Sequence, residues 1–181
     1  MALPPLATTF DLAAFAQRSD IPAATAELAL AIASATVRAY LRLDVTAVTG
    51  DVVTVPPSYR RELQLRQRPV TAVTSVVGAD DGQPVTGWTL RGAALVREQP
   101  WTSEVTVTYD HGWAQVPDDI RGVVLALAQA AVTNPEMLRQ VSIDDYSRTY
   151  ATETLGAGGL SRADEKVLDR YRRSSFTVVP R

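Results

Sequence analysis

Residues 104–132 read EVTVTYDHGWAQVPDDIRGVVLALAQAAV, and the fold of this stretch decides how the rest of the chain is arranged. Val105, Val107 and Tyr109 alternate with Thr106, Thr108 and Asp110, the period-two pattern of a half-buried strand. His111-Gly112-Trp113 then turns the chain, and Val116-Pro117-Asp118-Asp119 opens a helix. Proline suits a first-turn position, and aspartates favour the positive end of the helix dipole. From Gly122 to Val132 only Gln129 is clearly polar. A helix apolar nearly all round has to be covered on more than one side. These eleven residues fall short of the roughly 20 needed to cross a bilayer. The expectation is a helix at the centre of a core, or one shared between a core and a subunit contact.

Upstream, Thr9 is expected to cap a short helix through Phe15, with Asp11 in its first turn. Ser19-Asp20-Ile21-Pro22 starts a second helix, with Asp20 as cap, that runs to about Leu41. Leu30, Val37 and Leu41 share its packing stripe with Leu28 and Ile32 beside them, and Glu27, Ser34 and Arg38 occupy the wetter side. After Leu43 the period shortens. Val45–Val48 and Val52–Val55 flank Thr49-Gly50-Asp51 as a hairpin would, and short strands follow at 62–65, 70–77, 88–90, 94–97 and 105–109.

Downstream, Asn134-Pro135 stops the central helix, and 137–160 carries no stable pattern. Ser161, with Asp164 three residues on, caps a last helix whose second half is basic. The reading is α+β: a helical bundle core with an inserted antiparallel β-sheet and an extended C-terminal docking tail. One α+β domain is expected over residues 1–136, with helices 9–42 and 117–133 around a β module at 45–110. A flexible docking loop at 137–160 and a C-terminal helix and tail at 161–181 complete the chain.

A chain of 181 residues with a hydrophobic share of 46% can bury a real core. Its net charge of −2 argues against a protein that grips nucleic acid through a basic surface. Without cysteine there is no disulfide, thiol nucleophile or Cys-ligated zinc. The first ten residues lack the charged and apolar regions of a signal peptide, so none is expected, and no membrane partner follows.

His111 is the one histidine, and no activated-serine motif accompanies it, so a turn-structuring role outweighs catalysis. Asp110, Asp118 and Asp119 are explained by a strand end and a helix start. Metal-ligand spacings and phosphate-loop motifs are missing, so no cofactor or metal is expected. The basic run Tyr59–Arg68 is the best nucleic-acid candidate, and a charged edge strand that resists unwanted pairing is the simpler explanation.

Three stretches, LQLRQRPVTAVTSVVGADDG at 63–82, VTVTYDHGWAQVPDDIRGVVLALA at 105–128, and DYSRTY at 145–150 with LSRADEKVLDRYRR at 160–173, carry a resemblance. In order and spacing they resemble the head-to-tail connector (adaptor) proteins of long-tailed double-stranded DNA phages and gene transfer agents. Arg66-Gln67 departs from the Leu-Pro more usual before the Arg-Pro-Val segment.

The resemblance implies a structural virion protein and no enzyme. Identical subunits, usually twelve, form a ring docked on the portal protein at the neck. DNA passes through the channel without sequence-specific binding, stopper or tail proteins attach below, and the chain is made in the host cytoplasm before entering the virion. Within that picture Leu168, Tyr171, Arg172, Phe176 and Val178 are the expected portal contacts, aromatics and arginine being the types that dominate interfaces. Tyr146, Arg148 and Tyr150 are expected to meet a neighbouring subunit or the portal. A stopper or tail-completion protein of the same neck is the alternative, and a small enzyme or ligand-binding module a remoter one.

Overall fold

In the computed structural model, which describes residues 3–133, 140–143, 146–149 and 159–172, Val105–His111 forms a strand, β6. Its inward side chains Val105, Val107, Tyr109 and His111 are all at most 3% exposed. β6 is the middle of a three-stranded antiparallel sheet, with β1 (Val48–Val55) on one side and β3 (Val70–Gly78) on the other. A second antiparallel sheet places β5 (Ala94–Arg97) between β2 (Glu62–Gln64) and β4 (Trp88–Arg91). Leu63 and Leu95 from the second sheet, with Leu65 just after β2, join Val76, Val105, Val107 and Tyr109 from the first around buried Trp101. The two sheets thus share one core.

The hairpin expected at Thr49-Gly50-Asp51 does not form. Val48, the expected turn and Val52–Val55 form the single strand β1, laid along the distant β6, while Val45, Thr46 and Ala47 stay outside it. Gly50, at φ +66°, sits where the register slips between Val48 and Asp51. Its N–H donates to the Asp110 carboxylate at 2.7 Å. A glycine between valine runs reads locally as a turn, yet here it serves a bulge in a longer strand.

The His-Gly-Trp turn closes this β unit. Gly112 donates its N–H to the Pro69 carbonyl at 2.9 Å, and Trp113 donates to the Val45 carbonyl at 2.8 Å. Thr46 and Trp113 form an isolated parallel bridge. Gly112 has φ +90°, and a Cβ there would run into the Thr46 carbonyl. Only glycine fits both the torsion and the space.

The chain divides into two compact units, residues 43–115 and residues 1–42 with 116–181. The second is helical around α3 (Asp118–Thr133). α3 packs against α1 (Thr9–Ala16), α2 (Ala23–Leu41) and α4 (Arg162–Leu168). It buries Ile120, Val123, Val124, Leu125 and Ala128, and its open side offers only Ala126, Ala130 and Ala131 among apolar residues.

Four local details differ from expectation. Thr8 rather than Thr9 caps α1, in a reciprocal box with Asp11, whose carboxyl is held below its ordinary value by the Thr8 backbone N–H and hydroxyl. α2 begins after Pro22 with no side-chain cap, and Asp20, two residues before the cap position, pairs with Arg18 at 2.9 Å. Ser34 is buried, accepting the Leu6 N–H at 2.9 Å. Leu28 and Ile32 point outward, at 63% and 58% exposure. Within the stretch expected as a docking loop, β7 (Gln140–Ile143) pairs with β8 (Tyr146–Thr149). Among the described residues no helix is long and apolar enough to cross a membrane.

Gly112→Ala is expected to cost about 2–4 kcal/mol, from a strained φ and a backbone collision together. Gly50→Ala meets open space and pays only for the left-handed torsion, about 1 kcal/mol. Urea unfolding midpoints of the two variants check this difference.

Candidate docking surface

The C-terminal helix is short, and side chains from two other helices hold it in place. Ser161 caps it as the sequence suggests: its Oγ accepts the Asp164 N–H at 3.1 Å, and Asp164 Oδ2 accepts the Ser161 N–H at 3.1 Å. Leu160 and Leu168 are buried within the unit. Beyond them the Tyr171 hydroxyl donates to both carboxylate oxygens of Asp119, at 2.7 and 2.9 Å. Arg170 reaches the same carboxylate at 3.0 Å. Tyr40, in the last turn of α2, donates to Asp169 at 2.8 Å, and the Arg172 guanidinium lies 4.8 Å over its ring.

Asp119 stands in the first turn of α3, where the helix dipole already favours a negative charge. Burial and the bond to Asp119 push the Tyr171 phenol above its usual value. The bond to Asp169, with some desolvation, does the same for Tyr40. Both phenols therefore stay protonated and keep donating at neutral pH. The Arg170–Asp119 pair is largely open to water and adds little by itself. The half-buried Tyr171–Asp119 bond is the stronger tie.

Of the residues expected to dock, Leu168 is fully enclosed by its own unit, and Tyr171 is half-buried against α3. Arg172 remains exposed, at the end of the described helix region. Tyr146 and Arg148 lie on β8, opposite Ile143 and Val141. Tyr150, Phe176 and Val178 lie outside the described residues.

Asp119, Tyr40 and Asp169 were not singled out as site residues by the sequence. Their partners lie 51 and 129 residues away, and an aspartate in a first helical turn has a sufficient local explanation.

In the β unit the His111 ring is 1% exposed, with Nε2 3.2 Å from Asp51 Oδ2 and 3.9 Å from Asp44 Oδ2. Its Nδ1 is buried without a hydrogen-bond partner. Such a ring fastens β6 to β1 and is closed to a substrate. Among the described residues no cluster of three or more acidic or histidine side chains is placed to hold a metal.

The basic run Tyr59–Arg68 supplies β2, an edge strand, with Leu63 and Leu65 buried and Arg66 outward. Arg61, Arg91 and Arg97 line an open cleft of about 710 Å³ together with Glu98. Arg97 is committed to its own chain, stacked 4.2 Å over Trp101 and donating to the Gln99 and Pro100 carbonyls. Two exposed arginines beside a glutamate make a mixed polar surface, not an anion cradle.

Asp119→Ala is expected to lower stability by about 1–2 kcal/mol and Tyr171→Phe by about 1 kcal/mol. The double variant falls short of their sum because both remove one bond. Arg172→Ala stays within about 0.5 kcal/mol. Denaturant unfolding of the four chains reads these values.

No protein-family model matches the sequence, and no curated protein is significantly similar to it. The fold does have counterparts among solved structures. A chain from the neck of an empty GTA particle computed with C6 symmetry matches with a TM-score of 0.67 at 16% identity, over 99% of this chain and 96% of that one. A chain from the neck of the native GTA particle computed with C12 symmetry matches with a TM-score of 0.60 at 18% identity, over the same shares. A chain from the virion of the native gene transfer agent particle matches with a TM-score of 0.50 at 20% identity, over 84% and 80%. The α+β architecture of this chain is thus one also found in the neck of a GTA particle, nearly end to end.

Proposed function

We propose that this chain is a structural protein of a virion neck, and within the neck the head-to-tail adaptor. The observation that carries the reading is the fold likeness to a GTA neck chain over 99% of this sequence and 96% of that one. The matched neck structures were computed with C6 and C12 symmetry, which suits a subunit repeated around an axis. The segments at 63–82, 105–128 and 145–173 support the adaptor in particular.

In this reading copies of the chain, usually twelve, close a ring beneath the portal. Stopper or tail proteins attach below, and DNA passes through a channel that a net charge of −2 per subunit leaves unattractive to phosphate. The chain acts by fitting surfaces together, without catalysis. Synthesis takes place in the host cytoplasm and the protein ends in the particle.

The residues divide their roles by burial. Leu168 and Tyr171 set the base from which the tail leaves, the first by packing and the second through Asp119. Arg172, Phe176 and Val178 then meet the portal, an exposed cation followed by apolar side chains. Tyr146, Arg148 and Tyr150 serve the neighbouring subunit or the portal.

Electron microscopy of the chain mixed with its cognate portal is expected to show a ring on the portal's narrow end. Removing residues 174–181 is expected to weaken that binding at least about tenfold, with the urea midpoint unchanged. A chain that ignores bare portal and binds only a portal already carrying a ring is a stopper, and the adaptor reading then fails.

A further inference from the structure

α2 carries a face that a surface helix does not ordinarily show. Ala24, Leu28, Ala31, Ile32, Ala35 and Ala39 recur at helical spacing and are all exposed. Leu28 and Ile32, at 63% and 58% exposure, are among the most exposed large apolar side chains of the described residues. The opposite face, with Ala26, Leu30, Ala33, Val37 and Leu41, is the buried one. Glu27 and Arg38 fall at the margins, and no charge lies between Ala24 and Ala39 on the outer face. An outward helical face is normally where charged residues gather. This one runs about 22 Å without any, at 1.5 Å per residue.

Resting on the ring proposed above, we infer that this outer face of α2 is a contact between neighbouring copies of the chain. The C6 and C12 symmetry of the matched neck structures favours that occupant, since a ring subunit has copies on both sides, and charge agrees. Copies carry the same net charge, −2, and repel one another at a distance. They meet at least cost where neither side has to bury an unpaired ion, and interface centres are depleted in charge for that reason. Four alanines around two branched side chains also let a neighbour's backbone come close.

Area sets the strength of the contact. A helix face about 22 Å long and about 10 Å wide offers roughly 220 Å², well under the ~800 Å² per partner of a stable association. The face therefore forms one part of a ring contact and does not hold two free copies together. In a ring of more than two subunits it meets a different surface of its neighbour.

The absence of cysteine allows a clean test. Ile32→Cys, labelled with a benzophenone maleimide and irradiated in assembled particles, is expected to give an adduct of two copies of the chain. An adduct with a different virion protein, an adduct within one chain to residues 173–181, or no adduct overturns the inference. Leu28→Glu with Ile32→Glu is expected to leave the melting temperature within about 2 °C and to cut incorporation into particles at least about tenfold. Undiminished incorporation overturns it as well. Absence of the wild-type chain from the neck defeats the ring reading itself, a result distinct from a neck-bound chain that fails to cross-link to its own copies.

Discussion

Pairing on both edges of β6 is the constraint from which the β unit follows. A central strand satisfies its backbone groups on two sides and leaves one side-chain row to the core. Here that row is Val105, Val107, Tyr109 and His111, all enclosed. A slip of one residue would turn Thr106, Thr108 and Asp110 inward, so the register admits no alternative. The closing turn locks it: Gly112 and Trp113 donate to carbonyls of two other segments, and the His111 ring reaches Asp51 on β1. Burial pushes the Tyr109 phenol up, consistent with a side chain that serves as core. The polar groups at this end of the sheet mostly hold strands together, His111 Nδ1 being the buried exception.

The helical unit solves a different problem, that of fixing a seven-residue helix to a core. A helix of two turns has little stability of its own. Leu168 gives it a buried anchor, and Asp119 and Asp169 join it to α3 and α2 through phenolic donors. Hydrogen bonds direct the chain where apolar packing alone would leave it free to rotate. The outcome is a defined point of departure, beside Tyr40, for the basic and apolar residues that follow Arg172.

Apolar surface is distributed unevenly between the two long helices. α3, whose sequence is apolar almost all round, ends with only alanines among its open apolar residues because three helices cover the rest. α2 looks the more ordinary amphipathic helix, yet it leaves Leu28 and Ile32 in water. The number of apolar side chains in a segment thus says how much must be covered, and the arrangement of neighbours says which helix is left short of cover.

Period and punctuation in the sequence determined the mixed α+β class, the strands expected at 62–65, 70–77, 88–90, 94–97 and 105–109 to within two residues of their observed ends, the central helix, and the Ser161 cap. These depend on interactions within a few residues, where alternation, proline and a capping hydroxyl act directly. Tertiary structure decided that Val48–Val55 is one strand, that Ser34 is inside while Leu28 is outside, and that Asp119 receives Tyr171. Each of these depends on partners 28 to 60 residues distant or on which helices cover which face. Local pattern cannot encode that choice, because one side chain satisfies several environments and the packed neighbours select among them.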